Sequence, residues 1–562
     1  MSTKKIQIYC VNLERHIDVS GGDTLSELGS RLKKTLGFEP ICARVNNKAE
    51  DLSYALYSPK QVEFVSLDSP LGRRVYTRSL CMMLYRAATL EVEGCKLKIE
   101  HSISRGHFCR LTCNDHTTPV EITPDLLDRL TRRLQEMHRS NIPFVRHQQL
   151  TSEVKSLFRR EGLMQKVNLL DTNPELYSTY YTLQDTADSY YGPLAPSTSF
   201  IGVFALEAYH DGFLLMGPDP SEPSVPLAPR QQEKLFKAFT DYLNFNKVIR
   251  VSTVGELNRA VLAKKTPELI NVAEAMHDKY LGRISDEIAR RNREGRARVV
   301  FLAGPSSSGK TTTNKRLAIQ LMTNLLVPRL ISMDDYFIDR EHTPRDEKGD
   351  YDFEHLHALD LDRFNSDLTR LLAGETINLP TYSFELGRRV EKDRPLKLGP
   401  KDILLIEGIH GLNPELTRAI NSDDIFKLYV SALTTLCIDD HNWISTNDNR
   451  LLRRIVRDYK YRHVSAVETL RRWPSVQRGE ERWIFPYQEN ADAMFNSSLI
   501  FEIGVMRRFA EPLLHEVPHN VEQYAEAYRL IKLLSYFIPI EAEQIPSTSL
   551  LREFLGGSSF QY

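Results

Sequence analysis

Residues 299–312 read VVFLAGPSSSGKTT, an apolar stretch that runs into a loop of glycine, serine and threonine. From Gly304 the loop fits the pattern G-x-x-x-x-G-K-[ST], and the helix-forming stretch NKRLAIQLM follows at 314–322. A strand before this loop and a helix after it form the context in which the pattern binds phosphate, because the glycines let backbone N–H groups point inward. The helix N-terminus adds positive potential. The sequence therefore predicts ATP contacts from Gly304, Ser306, Ser307, Ser308, Gly309, Lys310, Thr311 and Thr312.

Acidic residues at the ends of two later strands narrow the chemistry. Asp334 and Asp335 follow the apolar run LISM, and Glu407 ends the run DILLIE. In an open α/β sheet, the carboxyl ends of the strands form the edge where ligands bind. Lys310 can neutralise the β- and γ-phosphates there, and the Thr311 hydroxyl can ligate Mg²⁺. Three carboxylates on that edge favour metal and hydroxyl chemistry over helix capping.

Short apolar runs alternate with helical segments through the rest of this region, which predicts a parallel sheet flanked by helices. The runs lie at 299–304, 329–335, 402–408, 425–432 and 499–505. A later helical segment, 450–462, places Arg450, Arg453, Arg454 and Arg457 at three- and four-residue steps. Such an arginine stripe is either a solvated helix face or a mobile lid that clamps phosphate.

The composition is that of a globular protein. Among 562 residues, Lys and Arg total 73 and Asp and Glu 74, so the net charge of −1 argues against a globally basic nucleic-acid binder. Seven cysteines are too few for a disulfide scaffold, and no apolar run approaches a membrane span. The N-terminus shows no apolar signal core. We expect a cytoplasmic protein without membrane contact.

The first half of the chain follows a different pattern. Residues 4–10 alternate as a strand, Thr24 and Glu27 form a capping box, and strands are expected around Cys42–Val45 and Gln61–Val65. These elements indicate a small α+β unit. An apolar helix near 79–90, a helix at 124–139 and a long connecting helix at 266–292 follow; they are read from apolar residues at three- and four-residue steps.

The motifs of the second half resemble the uridine–cytidine kinase branch of the phosphoribulokinase/uridine kinase family over about 298–510. The matching pieces, in order, are GPSSSGKTT, ISMDDYF, YDFEHLHALD, PTYSF, LLIEGI and NRLLRRIVRD. The resemblance implies that Asp334 and Lys310 are the catalytic residues and that Asp334 is the general base. Mg²⁺ would lie near Thr311, Asp334 and Glu407. Substrate contacts would come from Glu354, Tyr382, Phe384, Arg454, Arg457 and Arg462.

Three departures from this family concern the recognition of base and ribose. Gly387, followed by Arg388 and Arg389, stands where a histidine is usual, and Glu354 replaces a shorter Asp. His463 and Val464 stand where Gly-Arg normally follows the last lid arginine. The kinase assignment therefore rests on firmer ground than the choice of uridine.

The first half resembles threonyl-tRNA synthetase. ICARVNNKAEDLSYAL and the first strand are similar to its small ubiquitin-like module, called TGS, and 69–245 to its editing domain. That family's zinc-site positions correspond to Arg78, Met82, Tyr190 and Leu194. None is a good zinc ligand, so we expect neither zinc nor hydrolysis of mischarged tRNA. The group His101, His107, Cys109, Cys113 and His116 has no standard zinc spacing either.

These inferences give an α/β P-loop kinase preceded by two α+β units. The predicted division is 1–68 (ubiquitin-like module), 69–245 (inactive editing-like domain), 246–297 (connecting helix and linker), 298–515 (nucleoside kinase domain) and 516–562 (C-terminal helix and tail). The predicted function is transfer of the γ-phosphoryl of ATP, with Mg²⁺, to the 5′-hydroxyl of uridine or cytidine.

Two alternatives stay open. The acceptor could be another small alcohol such as a sugar phosphate, as in phosphoribulokinase. A regulator associated with RNA or the ribosome could instead use ATP as a switch, given the synthetase-like half. RNA contact by the N-terminal half and assembly into a homo-oligomer are also left open.

Overall fold

The computed structural model describes residues 5–113, 118–347, 349–383, 385–390 and 392–561. Its first unit is a five-stranded mixed sheet in the order β2-β1-β5-β3-β4, packed against helix α1 (Leu25–Leu36). The strands are β1 (Lys5–Cys10), β2 (Arg15–Ser20), β3 (Cys42–Val45), β4 (Lys48–Glu50) and β5 (Gln61–Val65). The predicted capping box of Thr24 and Glu27 is confirmed, as are the strands at β3 and β5.

The second unit surrounds a long buried helix, α2 (Pro70–Glu91). One sheet has the order β11-β12-β7-β6 and another the order β10-β9-β8. The strands are β6 (Lys96–Ile103), β7 (Gly106–Thr112), β8 (Val145–Leu150), β9 (Tyr177–Leu183), β10 (Thr186–Asp188), β11 (Ala205–Tyr209) and β12 (Gly212–Met216). The helices are α3 (Pro124–Ser140), α4 (Thr151–Arg160) and α5 (Met164–Asp171), and α3 confirms the helix predicted at 124–139.

Three helices lead into the second half: α6 (Glu233–Val248), α7 (Val254–Leu262) and α8 (Thr266–Arg293). Helix α8 confirms the long helix predicted at 266–292, and it packs directly against the later part of the chain. Its Glu274 accepts a hydrogen bond from the buried Arg316 at 3.0 Å, and its buried His277 lies 3.3 Å from the Ser498 carbonyl oxygen. Helix α8 is therefore part of a shared core.

The second half is built on a five-stranded parallel sheet in the order β14-β19-β13-β20-β23. Its strands are β13 (Val299–Ala303), β14 (Val327–Ser332), β19 (Asp402–Glu407), β20 (Ile425–Ser431) and β23 (Ala493–Asn496). Four of the five apolar runs predicted as strands are confirmed; the fifth, at 499–505, instead leads into a helix that begins at Glu502.

Short strands and helices complete this half. The short strands are β15 (Ile377–Asn378), β16 (Thr381–Ser383), β17 (Arg388–Val390), β18 (Pro395–Leu396), β21 (Cys437–Asp439) and β22 (Asn442–Trp443). The helices are α9 (Lys310–Thr323), α10 (Leu361–Leu372), α11 (Thr446–Arg462), α12 (Ala466–Trp483), α13 (Glu502–His515), α14 (Tyr524–Ser535) and α15 (Arg552–Leu555). Among the described residues, no helix is both long and apolar enough to cross a membrane.

The two halves are joined by a buried ionic cluster. The β21–β22 hairpin reaches the second unit, where the Lys166 ammonium lies 2.8 Å from Asp188 and 3.0 Å from Asp439. His441 Nδ1 lies 2.8 Å from the same Asp188 carboxylate. All four side chains are buried. Since a buried charge must be paired, this cluster ties the hairpin to the second unit.

Two arginines of α11 lie in the core of the second half. Arg450 and Arg453 are 1% and 0% exposed, and their guanidinium groups pair with Glu480 and Glu502 respectively. The prediction of a solvated or mobile stripe is therefore wrong for these two residues. Both charges are compensated by carboxylates that the spacing of arginines along α11 does not reveal.

Removing one partner of the Arg453–Glu502 pair should destabilise the second half. We expect Glu502→Gln to lower its free energy of unfolding by about 3–5 kcal/mol, because the guanidinium would be left buried without a carboxylate. The three tryptophans, Trp443, Trp473 and Trp483, all lie in this half, so urea unfolding followed by tryptophan fluorescence reports on it. Arg418→Met is the control, because the Arg418–Asp362 pair is exposed. Equal urea midpoints for the two variants would contradict the expectation.

Candidate functional site

The phosphate loop joins β13 to α9 in the predicted strand–loop–helix order. A side chain on Gly304 would collide with the Val430 carbonyl oxygen of β20, and Gly309 has φ +83°. Positions 304 and 309 therefore both need glycine. The buried hydroxyl oxygens of Ser307 and Ser308 find no hydrogen-bond partner among the described residues.

The arginines of α11 hold this loop. Arg450 Nε donates to the Ser306 carbonyl oxygen at 2.9 Å, and Arg453 Nη1 to that of Ser307 at 3.4 Å. From the other side, Glu480 Oε1 accepts the Ser306 amide at 2.9 Å. The loop is thus fixed before any ligand arrives, which reduces the entropy that binding must remove.

The four predicted catalytic and metal-binding residues meet beside the loop. Thr311 Oγ1 donates to the Glu407 carboxylate at 3.1 Å. Burial raises the pKa of Glu407 to about 7, against the opposing effect of the Lys310 ammonium. Burial also raises the pKa of Asp334, again opposed by Lys310. Lys310, Asp334 and Glu407 are therefore close enough to influence each other's charge.

Oxygen donors of this kind fit Mg²⁺. The metal prefers hard oxygen ligands and commonly uses one or two carboxylates, with water and substrate phosphates for the rest. Thr311, Asp334 and Glu407 supply one hydroxyl and two carboxylates. In the described part of the chain, no group of three or more His, Cys, Asp or Glu side chains could hold a metal. A magnesium ion here would thus depend on phosphate oxygens as well.

The structure separates the two neighbouring aspartates. Both belong to a short 3-10 turn, Met333–Tyr336, rather than to the strand itself. Asp334 lines the cavity beside Lys310. Asp335 instead accepts a hydrogen bond from Arg394 at 2.9 Å and another from the Tyr382 amide at 3.4 Å. The turn therefore directs the Asp334 carboxylate towards the cavity, whereas the Asp335 carboxylate makes a structural contact with Arg394.

The remaining arginines of α11 face the same cavity. Arg454 Nη1 donates to Ser306 Oγ at 2.9 Å. Arg454, Arg457 and Arg462 share one carboxylate, that of Asp458, at 3.2, 2.8 and 3.4 Å. These three cations are only partly neutralised by Asp458, which suits them to an anionic ligand.

The predicted acceptor residues are only partly brought together. Glu354 lines the cavity, and burial raises its pKa to about 7 against the influence of Arg454. Tyr382 is buried (8% exposed) and its ring centre lies 5.7 Å from that of Phe337. Phe337 lines the cavity, and Tyr382 lies behind it. Phe384 lies outside the described residues. At Gly387, the Arg340 guanidinium carbon lies 2.9 Å from where a Cβ would be.

A carboxylate near the C-terminus enters the site and was missed by sequence reasoning. Glu553 Oε2 accepts hydrogen bonds from the Thr312 amide at 3.1 Å and from Thr312 Oγ1 at 2.6 Å. The neighbouring Leu550 packs where a side chain of Gly309 would lie, and Phe554 lies 5.1 Å from the Arg453 guanidinium. No local motif marks Glu553, which is 241 positions from Thr312.

The four residues that correspond to the synthetase zinc-site positions differ in their access to the cavity. Met82 and Leu194 are fully buried, whereas Arg78 and Tyr190 line the same large cavity as the phosphate loop. The His101 ring stacks on Phe239 at 3.8 Å. His116 lies outside the described residues.

Comparison with known proteins covers the second half of the chain. Residues 299–500 match the model of the Phosphoribulokinase / Uridine kinase family. A uridine kinase from Staphylococcus aureus (strain JH9) is 29% identical over 195 residues, which are 34% of this chain and 84% of that protein. The resemblance of the first half to threonyl-tRNA synthetase stays a prediction.

Two solved structures are also similar. D-glycerate 3-kinase from Cryptococcus neoformans var. grubii is 15% identical, with a TM-score of 0.21, over 45% of this chain and 87% of its own. A protein described as a possible uridine kinase from Bacillus stearothermophilus is 19% identical, with a TM-score of 0.24, over 35% of this chain and 88% of its own. The family match and the uridine kinase relatives support a domain of the Phosphoribulokinase / Uridine kinase family at residues 299–500.

Proposed function

We propose that the chain transfers the γ-phosphoryl group of ATP to the 5′-hydroxyl of a nucleoside, uridine or cytidine. The observation that carries this proposal is the meeting of Lys310, Asp334 and Glu407 at one end of a cavity that Glu354 also lines. A phosphate cradle, a carboxylate beside it and a second carboxylate further along match the needs of an alcohol kinase.

In the proposed reaction, the acceptor oxygen attacks the γ-phosphorus and the bond to the β-phosphate oxygen breaks, which releases ADP. Asp334 takes the proton of the hydroxyl, and its raised pKa brings the carboxylate closer to that task. Loop amides, Lys310 and the three cavity-facing arginines of α11, Arg454, Arg457 and Arg462, hold the phosphates. When bound, Mg²⁺ would neutralise phosphate charge near Thr311, Asp334 and Glu407.

Glu354 is the proposed contact to the acceptor. Its carboxylate can accept hydrogen bonds from sugar hydroxyls, and the cavity in front of it includes the aromatic side chains Phe337, Tyr351 and Phe353. Such aromatic faces are suited to a flat base. The combination supports a nucleoside as the acceptor.

A second acceptor class is favoured by one observation. Arg340 lines the cavity and its guanidinium occupies the space beside Gly387. A cation there would suit an acceptor that itself carries a phosphate, such as a sugar phosphate. The two classes differ in the product that they yield.

The test is a panel of nucleosides and sugar phosphates incubated with ATP and Mg²⁺ without RNA, followed by mass detection of the products. We expect nucleoside monophosphates and ADP in equal amounts. The Lys310→Ala variant should lose about 10²–10³ in rate because it lacks a transition-state charge contact. If no acceptor is phosphorylated unless RNA is present, an ATP-switched regulator becomes the better proposal.

Asp334→Asn should reduce the rate of transfer by about 10²–10⁴-fold, because asparagine cannot take the hydroxyl proton. Binding of ATP, measured by calorimetry, should change much less. Asp335→Asn is the matched control, since its carboxylate contacts Arg394 and not the cavity. A larger loss of turnover at saturating ATP in Asp335→Asn would reverse the assignment of the base.

Glu553→Gln should tighten the binding of ATP. The carboxylate occupies Thr312 hydrogen-bond donors at the start of α9, where backbone amides and the helix dipole favour a phosphate. Removing a negative charge next to an incoming triphosphate should lower Kd about 5- to 10-fold. Glu543→Gln, elsewhere in the C-terminal segment, is the control for charge alone. Weaker ATP binding in Glu553→Gln would show that the carboxylate assists the nucleotide instead.

A further inference from the structure

Helix α12 lies between two parts of the candidate site, the segment 346–355 on one side and the phosphate loop on another. Arg478 Nη2 of α12 donates to the Asp346 carboxylate at 2.9 Å, and the centres of the Trp483 and His355 rings are 4.4 Å apart. Both contacts tie the segment to the same side of the helix. Because this segment carries the residue proposed to contact the acceptor, the position of α12 affects the acceptor side of the site.

A second face of α12 holds the phosphate loop. Glu480 Oε1 accepts the Ser306 amide at 2.9 Å, and the same carboxylate pairs with the Arg450 guanidinium. The Trp473 ring, two turns earlier, lies 5.3 Å from that guanidinium. Glu480 is fully buried, so moving it would leave the charge of Arg450 in the core without its partner. This face of the helix is therefore held firmly against the loop.

Gly479, next to Glu480, brings the backbone of α12 into contact with Glu354. A Cβ at position 479 would lie 2.4 Å from Glu354 Cβ and 3.0 Å from its Cγ. Carbon atoms in van der Waals contact are about 3.5–4.0 Å apart. A Cβ is fixed to its own backbone, so a change of rotamer could not relieve the shorter contact. Only glycine at position 479 lets Glu354 lie where it does.

In other respects, position 479 would suit alanine. Gly479 is buried within α12 and does not have a positive φ, so its backbone conformation is open to any residue. Glycine lowers the stability of a helix relative to alanine, because it has more conformational freedom to lose on folding. The close approach of Glu354 is thus the feature that requires glycine here.

We propose that Gly479 is a positioning residue, which sets the distance between the Glu354 carboxylate and the phosphate loop. Glu480 fixes α12 against the loop, and the adjacent Gly479 lets Glu354 pack directly on the helix backbone. The spacing between the two ends of the site is therefore set within one helical turn. The consequence for acceptor binding rests on the proposed function, whereas the packing of Glu354 does not.

The test compares Gly479→Ala with Gly282→Ala, each in the full chain. Both glycines lie in helices, but a Cβ at Gly282 of α8 would meet only Gln320 Oε1, at an ordinary 3.7 Å. Hydrogen exchange is measured first, without substrates. In Gly479→Ala, we expect the amides of 351–356 to exchange about fivefold faster or more, because the segment must move away from α12. The amides of 304–311 should keep their rates, and Gly282→Ala should change neither segment.

Turnover with uridine and ATP is the second measurement. Gly479→Ala should raise the KM for uridine about tenfold or more, because a displaced carboxylate loses charged hydrogen bonds to the acceptor. The Kd for ATP should stay within about twofold of the parent value, since the loop contacts are kept. Gly282→Ala should change neither constant. In a Glu354→Gly background, Gly479→Ala should have no further effect, because both the carboxylate and the Cβ that it would meet are gone.

Several results would overturn the positioning role. One is unchanged exchange of 351–356 in Gly479→Ala, and another is an equal increase in the phosphate loop, because α12 itself would then have moved. An unchanged KM for uridine, or an equal increase in the Glu354→Gly background, would show that Gly479 does not act through Glu354.

Two further outcomes are distinguished by the same variants. If the parent protein phosphorylates neither uridine nor cytidine, the proposed function fails, and the hydrogen-exchange comparison alone decides the role of Gly479. If Gly479→Ala does not fold, adding Glu354→Gly should restore folding by removing the Cβ that alanine meets. Failure of that double variant to fold, with Glu354→Gly folded by itself, would contradict the proposal.

Discussion

The burial of Arg450 and Arg453 against Glu480 and Glu502 is the interaction on which the kinase half depends. Charged groups this deep in a protein are tolerated only when each is paired and hydrogen-bonded. Both guanidinium groups satisfy that condition partly with carbonyl oxygens of the phosphate loop. The guanidinium groups that these carboxylates neutralise therefore also hold the loop. The position of the loop is thus coupled to the packing of this core.

A second set of ion pairs connects the start of α11 to the N-terminal half. Asp448, near the first turn of α11, pairs with Arg529 of α14 at 2.6 Å. Arg529 also pairs with Glu526, and Glu526 with Arg74 of α2. The helix that carries the cavity-facing arginines is thus anchored to the second unit through α14. With the buried Lys166 cluster, this makes the cavity a shared space between the halves.

The C-terminal segment belongs to the same core. Leu550, Leu551 and Phe554 are fully buried beside side chains of α9, α11 and α13. Apolar burial therefore helps to hold the segment in place, together with hydrogen bonds such as those of Glu553 and Arg552. Its position brings Glu553 onto the first turn of α9, so the composition of the candidate site depends on a segment far along the chain.

The sequence by itself determined the features that are encoded over short distances. The phosphate loop, the capping box at Thr24, the strands β3 and β5 and four strands of the parallel sheet all follow from neighbouring residues, because their geometry is set by local backbone and hydrogen-bond preferences. The edge position of Asp334 and Glu407 could be predicted too, since strand ends in a parallel sheet share one edge. Tertiary structure alone decided the rest. Arginines spaced along α11 look the same whether they face water or carboxylates, so the burial of Arg453 needed its partner Glu502. Asp334 and Asp335 were separated by a turn, and Glu553 and Arg78 reached the cavity through contacts between distant segments, which no local pattern records.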